Sequence, residues 1–412
     1  MAEEVTLRVT ALDQRGEGVA AQGGARIAVA GALPGETVRG VVSGGRMDDP
    51  RIERPAPGRV APACRHFGSC GGCVLQHASD RLGAKWKAGM VLRALGARGL
   101  APRLASVIVS PPHGRRRAAF AALATPAGVV LGFHGRRSHE VVAVPGCRVL
   151  APAIVDAMPA LARLAALGLT RSGARGRMVV TLTGGGIDAA AEAMAPLSPA
   201  ATEAAVAIAA GAGLARLSWN GVPLAQFRPP EIGFGRARVI PPPGGFLQAT
   251  ASGEAALLGA VRAGLGDAAR IADLFAGCGT FALPLAEAAE VHAAESDGAA
   301  VAALLAGWRQ AQGLRRLSAE RRDLFRRPLL PAELDRFDAA VIDPPRAGAE
   351  AQARAIAAAR LGRLVMVSCN PATFARDAAI LVGAGFEMGP VTVVDQFRWS
   401  PHVEMAAPFL RR

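Results

Sequence analysis

The chain has 412 residues, 51% of them hydrophobic, which excludes a disordered protein and exceeds what one compact core holds, so two or three domains are expected. Its 47 Lys and Arg stand against 33 Asp and Glu, a formal net charge of +14. Nearly all the basic residues are arginine, with lysine only at Lys85 and Lys87. Guanidinium forks match phosphate oxygens and stack on bases, so a polyanionic partner is expected, nucleic acid ahead of an anionic membrane.

The first residues, MAEEVTLRVT, are acidic and lack the apolar stretch of a secretory signal. The uncharged stretch from Ala118 to Gly135 is interrupted by Pro126 and Gly128, so it reads as two strands about a turn and not as a membrane span. A cytoplasmic, membrane-free monomer is expected. Structural disulfides are rare in the cytosol, which leaves the cysteines at 64, 70, 73, 147, 278 and 369 to be explained.

Residues 1–57 read as a small OB-like β-barrel. VTLRVTAL and ARIAVAGAL are β-rich, with turns at Arg15–Gly18 and Leu33–Glu36. Such barrels are oligonucleotide platforms, so this module and the Arg115–Arg117 run are the expected RNA contacts. The proline-rich RIERPAPGRVAP reads as a linker. Residues 58–245 read as a central α+β domain. It holds the cysteine cluster, a helix near 80–98, strands near 119–130 and an alanine-rich helix near 151–167. The composition breaks at Pro241–Gly245.

From 246 to 412 strands and helices alternate. IADLF, VHAAE, FDAAVID and LVMVS read as strands; ALPLAEAA, GAAVAALLAGWRQ, AQARAIAAAR and FARDAAILVGAG read as helices. MAAPFL reads as the final strand. The alternation predicts an α/β fold with a doubly wound, mostly parallel sheet.

The loop DLFAGCGT, residues 273–280, follows the first of these strands. Its glycines allow a tight turn and close approach to a ligand. Glu295, 22 residues beyond Asp273, ends the next strand, where a carboxylate suits a ribose diol. The loop is neither G-x-G-x-x-G nor a P-loop, which favours S-adenosylmethionine, a nucleoside without phosphates. Asp343-Pro344-Pro345-Arg346 ends another strand at the same rim, with Arg346 either a phosphate contact or a solvated charge. Cys369 ends the next.

A cysteine there is either a buried filler or a nucleophile. Uracil C5 is a poor nucleophile until a thiolate adds at C6. The C5 proton must then leave after methylation, so the chemistry needs one cysteine and one base. Glu404, charged within an apolar run, is the candidate base, with His402 its competitor. Four clustered thiols, Cys64, Cys70, Cys73 and Cys147, suggest zinc or iron–sulfur ligation, between which spacing does not decide.

Together these motifs resemble the RNA (uracil-5-)-methyltransferases along nearly the whole chain. DLFAGCGTFALPLA resembles the family's loop, Asp343–Arg346 its DPPR, Ser368–Pro371 its SCNP around the nucleophile, and His402–Glu404 its HVE. Phe246-Leu247-Gln248 is similar to a stretch whose glutamine contacts the cofactor. The resemblance implies a Rossmann-like class I methyltransferase domain over 246–412. It also implies Cys369 as nucleophile, Glu404 as base, and cofactor contacts at Gln248, Phe275, Gly277, Thr280, Glu295, Asp323 and Asp343.

Cys64, Cys70, Cys73 and Cys147 resemble the subgroup that binds a [4Fe–4S] cluster, whose N-terminal module is a TRAM domain. That subgroup acts on 23S ribosomal RNA, which is favoured over transfer RNA. Cys278 is expected to be a packing residue. Thr280 stands where the family often has Asn, and Trp308 replaces a usual Asn. The alternatives are an RNA cytosine-5 or transfer-RNA uracil-5 methyltransferase, or a non-catalytic iron–sulfur RNA-binding protein.

Overall fold

The computed structural model describes residues 4–411. Residues 4–54 form two small sheets over one apolar core that includes Leu7, Ala20, Val29, Val38 and Met47. In the three-stranded sheet Arg8 lies in register with Thr37 and Thr37 with Arg54, while Arg39 pairs with Arg51. All four arginines are exposed, so alternation gives this sheet one apolar face and one basic face.

A seven-stranded sheet follows. Its order is Val141–Ala143, Gly128–His134, Arg117–Thr125, Arg175–Thr183, Gly186–Glu192, Arg216–Trp219, Val222–Gln226. The strand Arg117–Thr125 buries Ala118, Phe120, Ala122 and Ala124 on one face, and helices Pro152–Gly168 and Pro199–Gly211 share that core. Ala118–Gly135 is thus two antiparallel strands about a turn, as expected.

The third sheet has nine strands. Counted along the chain from Arg270, its main strands run 3-2-1-4-5-7-6. Strands Leu317–Arg321, Glu290–Glu295, Arg270–Leu274, Ala339–Ile342 and Arg363–Ser368 are mutually parallel. Glu404–Arg411 inserts antiparallel between Arg363–Ser368 and Val391–Asp395. The parallel strands carry near-continuous apolar runs because both faces are covered.

Three secondary-structure elements differ from the sequence reading. Residues 80–109 were expected in the central domain. Instead Leu104–Val109 adds in parallel to the open edge of Val391–Asp395, and helix Asp80–Gly96 packs on helix Pro371–Gly383. The helix expected over 282–289 spans only Ala282–Leu285, because the Ala286 carbonyl accepts instead from Arg315 N–H (2.6 Å). The edge strand Leu317–Arg321 was not anticipated. Among the described residues no helix is long and apolar enough to cross a membrane.

Candidate active site

The loop after Arg270–Leu274 makes its turn at Phe275, whose φ of +66° is rare for a non-glycine residue. The N–H groups of Phe275 and Ala276 both donate to the Ala294 carbonyl, at 3.0 and 3.2 Å. Gly277, with φ +56°, donates its N–H to Glu295 Oε2 at 3.0 Å. The other Glu295 oxygen accepts from Ser296 Oγ (2.9 Å) and Asp297 N–H (2.8 Å). The acid at the second strand end is therefore fixed by the glycine loop itself. Asp273 is wholly buried behind the loop, and burial, followed by the nearby Asp343, pushes its carboxyl up to about 8.

Cys369 leaves strand Arg363–Ser368 and stands just before helix Pro371–Gly383. Asn370 caps that helix by accepting from Ala372 N–H (3.1 Å), and Pro371 takes the first helical position. A thiol at a helix N-terminus gains from the helix dipole. Burial outweighs this gain: with the Glu404 and Asp343 charges it pushes Cys369 up to about 11, while Arg346 pulls the other way.

Glu404 begins the last strand and is 4% exposed, so it does not point outward from an edge. Burial, then Asp343, raises it to about 8, against a hydrogen bond from Gln396 and the Arg346 charge. Asp343 is raised to about 7 by burial and accepts from Gln248 Nε2 at 3.2 Å. His402 is lowered to about 4 by burial and by the cations Arg346, Lys87 and Arg115, so it is neutral at pH 7.

One cavity of about 520 Å³ collects these groups. Gln248, Phe275, Gly277, Thr280, Glu295, Asp323, Asp343, Cys369 and Glu404 all line it. Asp323 also accepts from Phe325 N–H (3.0 Å) and pairs with Arg326 (3.6 Å). Cys278 lies mostly in the apolar core and is pushed up to about 12 by burial, as suits a packing residue.

The sequence reading missed the aromatic lining of Phe325 and Phe397, and the role of Gln396, whose amide donates to Gln248 Oε1 at 2.5 Å. Phe246 stands 69% exposed at the same cavity, an apolar ring in water that burial statistics would not predict.

The expectation that Arg115–Arg117 meet phosphates is corrected for Arg116 and Arg117. Arg116 binds Glu254 (2.5 Å) and the Gln248 carbonyl (3.2 Å). Arg117 binds the carbonyls of Gly244 (2.9 Å) and Gly245 (3.0 Å). Both forks fasten the central sheet to the chain entering the cavity. Arg115 lies over the Phe397 ring at 5.7 Å.

The four clustered cysteines come from two chain segments. Cys70 bridges to Gly135, and His66 Nε2 lies 3.1 Å from the Pro145 carbonyl, which brings Cys147 to the first three. Gln76 accepts from Cys64 N–H (3.0 Å) and is hydrogen-bonded to Cys73. None of the four is in a disulfide. Burial raises Cys73 to about 12, with the other three thiols adding to the shift. Among the described residues no three His, Cys, Asp or Glu side chains gather tightly enough to hold a single metal ion.

The strand order and the cavity at the strands' C-terminal rim define a class I S-adenosylmethionine-dependent methyltransferase. The whole chain matches in fold a Pyrococcus abyssi tRNA (uracil-54, C5)-methyltransferase solved with S-adenosyl-L-homocysteine. The TM-score is 0.73 at 21% identity, over 98% of this chain and 99% of that one.

A family model described as tRNA (Uracil-5-)-methyltransferase matches residues 244–412. An uncharacterized RNA methyltransferase of Brucella suis is 44% identical over 98% of this chain and 97% of its own. The 23S rRNA (uracil(1939)-C(5))-methyltransferase RlmD of Edwardsiella ictaluri is 34% identical over 97% of this chain and 94% of its own. The chain belongs to the RNA (uracil-5-)-methyltransferase family.

Proposed function

We propose that this chain methylates C5 of a uridine in 23S ribosomal RNA, with Cys369 as nucleophile and Glu404 as base. The observation that carries the reading is the shared cavity: a thiol and a buried carboxyl stand beside the glycine loop, Glu295 and Asp343. Bound adenosylmethionine supplies the methyl group and a sulfonium charge. The Cys369 thiol would release its proton to solvent, and its sulfur would bond to C6 and drive the ring electrons to C5. C5 would take the methyl group as the sulfonium leaves as the neutral thioether; Glu404 would then accept the C5 proton, and the C6–S bond would break to restore the ring and the thiolate.

Between the two candidate bases, acidity favours Glu404. A carboxyl raised to about 8 holds a proton far better than an imidazole lowered to about 4. Gln248, Phe275, Gly277, Thr280, Glu295, Asp323 and Asp343 form the proposed cofactor and base lining. Ribosomal RNA is favoured by the 34% identical full-length relative. Transfer RNA is the second reading, supported by the description of the matching family model. Mass spectrometry of both RNAs from cells with and without the protein separates the two. Loss of 5-methyluridine from transfer RNA alone would reverse the assignment, and loss from neither would reject the activity.

The N-terminal module fits an RNA-binding role through its basic face. Cys64, Cys70, Cys73 and Cys147 fit a [4Fe–4S] cluster. A single tetrahedral ion needs its sulfurs within about 2.3 Å of one point, whereas a four-iron cluster takes each thiolate on a separate iron. None of the four is in a disulfide, and burial raises Cys70 and Cys73, a strain on their thiolates that ligation would relieve. When bound, the cluster would cross-link segment 64–73 to Cys147.

A further inference from the structure

Lys87 is one of only two lysines, and its side chain is 2% exposed. Its ammonium pairs with the Asp395 carboxylate, itself 6% exposed, and donates to the Phe397 carbonyl at 3.0 Å. Asp395 also accepts from Phe397 N–H at 3.1 Å. The pair therefore clasps the backbone on both sides of Gln396. That glutamine is 1% exposed, accepts from Thr250 N–H (3.4 Å), and is hydrogen-bonded to both Gln248 and Glu404.

The same chain segment grips the loop at further points. Val74 and Leu75 N–H donate to the Trp399 carbonyl at 2.7 and 3.1 Å, and Asp80 pairs with Arg398 at 2.6 Å. A buried ion pair returns little net stability, because desolving both charges offsets their attraction. Stability alone is thus a weak reason for a lysine here.

We propose that Lys87 is a positioning residue for the base. With Asp395 it holds Gln396 so that the amide donates to Glu404 and favours the ionised, proton-accepting carboxylate. This inference rests on reading Glu404 as the base. A donor to a carboxylate lowers its pKa, so a displaced Gln396 leaves Glu404 protonated to higher pH. Asp343 opposes and Arg346 favours ionisation of Glu404, with the Cys369 thiol and His402, which the Lys87 charge helps keep neutral, beside them in the cavity.

The test compares Lys87→Met/Asp395→Leu, which exchanges the pair for apolar side chains, with Gln396→Met, which leaves the pair intact. Methylation rates are read from about pH 6 to about pH 10, alongside adenosylmethionine affinity. In both variants kcat at neutral pH should fall roughly 10- to 100-fold, part of the ~10²–10⁴ a positioned base supplies. The acid limb should move upward by about one pH unit, so that activity partly recovers in alkali. For the double variant, KM and cofactor affinity should stay within about threefold.

Combining all three substitutions should cost no more than either set, since they act through one relay. A folded double variant with the wild-type pH profile overturns the proposal, as do additive losses. Should the double variant fail to fold, an unmoved acid limb in Gln396→Met alone overturns it. Glu404→Gln is measured in parallel. Normal turnover there defeats the reading of Glu404 itself, whereas a stalled Glu404→Gln with unmoved limbs in the other variants defeats only the role of Lys87.

Discussion

Asn370 Nδ2 donates to the Arg346 carbonyl oxygen at 2.9 Å. The residue after Cys369 thereby ties the end of one strand to the Asp-Pro-Pro turn that ends its neighbour. Thr373 Oγ1 reaches the same carbonyl at 3.3 Å. Cys369 and Asp343 are held as one unit, and the cavity between them depends on two adjacent strand ends rather than on a mobile loop.

Glu404 sets a pH signature of opposite sign for stability and for activity. Its folded pKa of about 8 lies above the ordinary 4.5, so the stability of the protonated form is present below 4.5 and is lost as pH rises through 8. Glu404→Gln should match the wild type near pH 4.5 and exceed it near pH 8.5 in urea unfolding. The excess should reach a few kcal/mol, since each tenfold difference in proton affinity between folded and unfolded chains is worth about 1.4 kcal/mol. For wild-type kcat/KM the acid limb should rise toward the same value, because the free enzyme's base must ionise. Equal stabilities at both pH values would contradict the burial of a titrating carboxyl.

The two loop glycines should respond unequally to alanine. At Gly277 a Cβ meets nothing within 4 Å and only the positive φ resists, costing about 1–2 kcal/mol. At Gly279, with φ +99°, a Cβ would also stand 2.8 Å from Leu283 and 3.1 Å from Leu304. Gly279→Ala should therefore lower the urea midpoint well beyond Gly277→Ala. Equal losses would mean that the loop has room to shift.

Much of this was legible because both faces of the central strands are covered. LVMVS and FDAAVID read as strands from apolar runs alone, and their charged or thiol ends marked the rim. Leu317–Arg321 escaped notice because it is an edge strand whose residues, apart from Leu317, are polar or partly exposed. Leu104–Val109 is apolar, yet its partner Val391–Asp395 lies far along the chain, so its sheet could not be read locally. Nothing in the sequence around Lys87 marks it as buried. Only Asp395, 308 residues later, reveals it as buried.

RNA affinity should depend on the exposed arginines of the N-terminal sheet and not on the half-buried Arg116 and Arg117, whose forks are already engaged. Replacing Arg8 and Arg51 by Gln should flatten the slope of log affinity against log salt by about 2, with cofactor affinity unchanged. Arg116→Ala should instead cost about 3 kcal/mol of stability, by stranding Glu254, and leave the salt slope alone. A reduced slope in Arg116→Ala would return that arginine to the phosphate contacts.

Anaerobic purification should yield a brown protein with about four irons per chain. Cys73→Ser should lose iron and stability while the isolated cofactor site still binds adenosylmethionine. Stoichiometric zinc under the same conditions would refute the cluster.

The central claim, a covalent Cys369 adduct resolved by Glu404, is tested most directly on a denaturing gel with methyl-labelled cofactor and substrate RNA. Glu404→Gln should give a labelled, slow-migrating protein–RNA band, because addition and transfer proceed while removal of the C5 proton does not. Cys369→Ala should give neither band nor product. A labelled band in Cys369→Ala, or full turnover in Glu404→Gln, would contradict the assignment and send the search to Cys278 or His402.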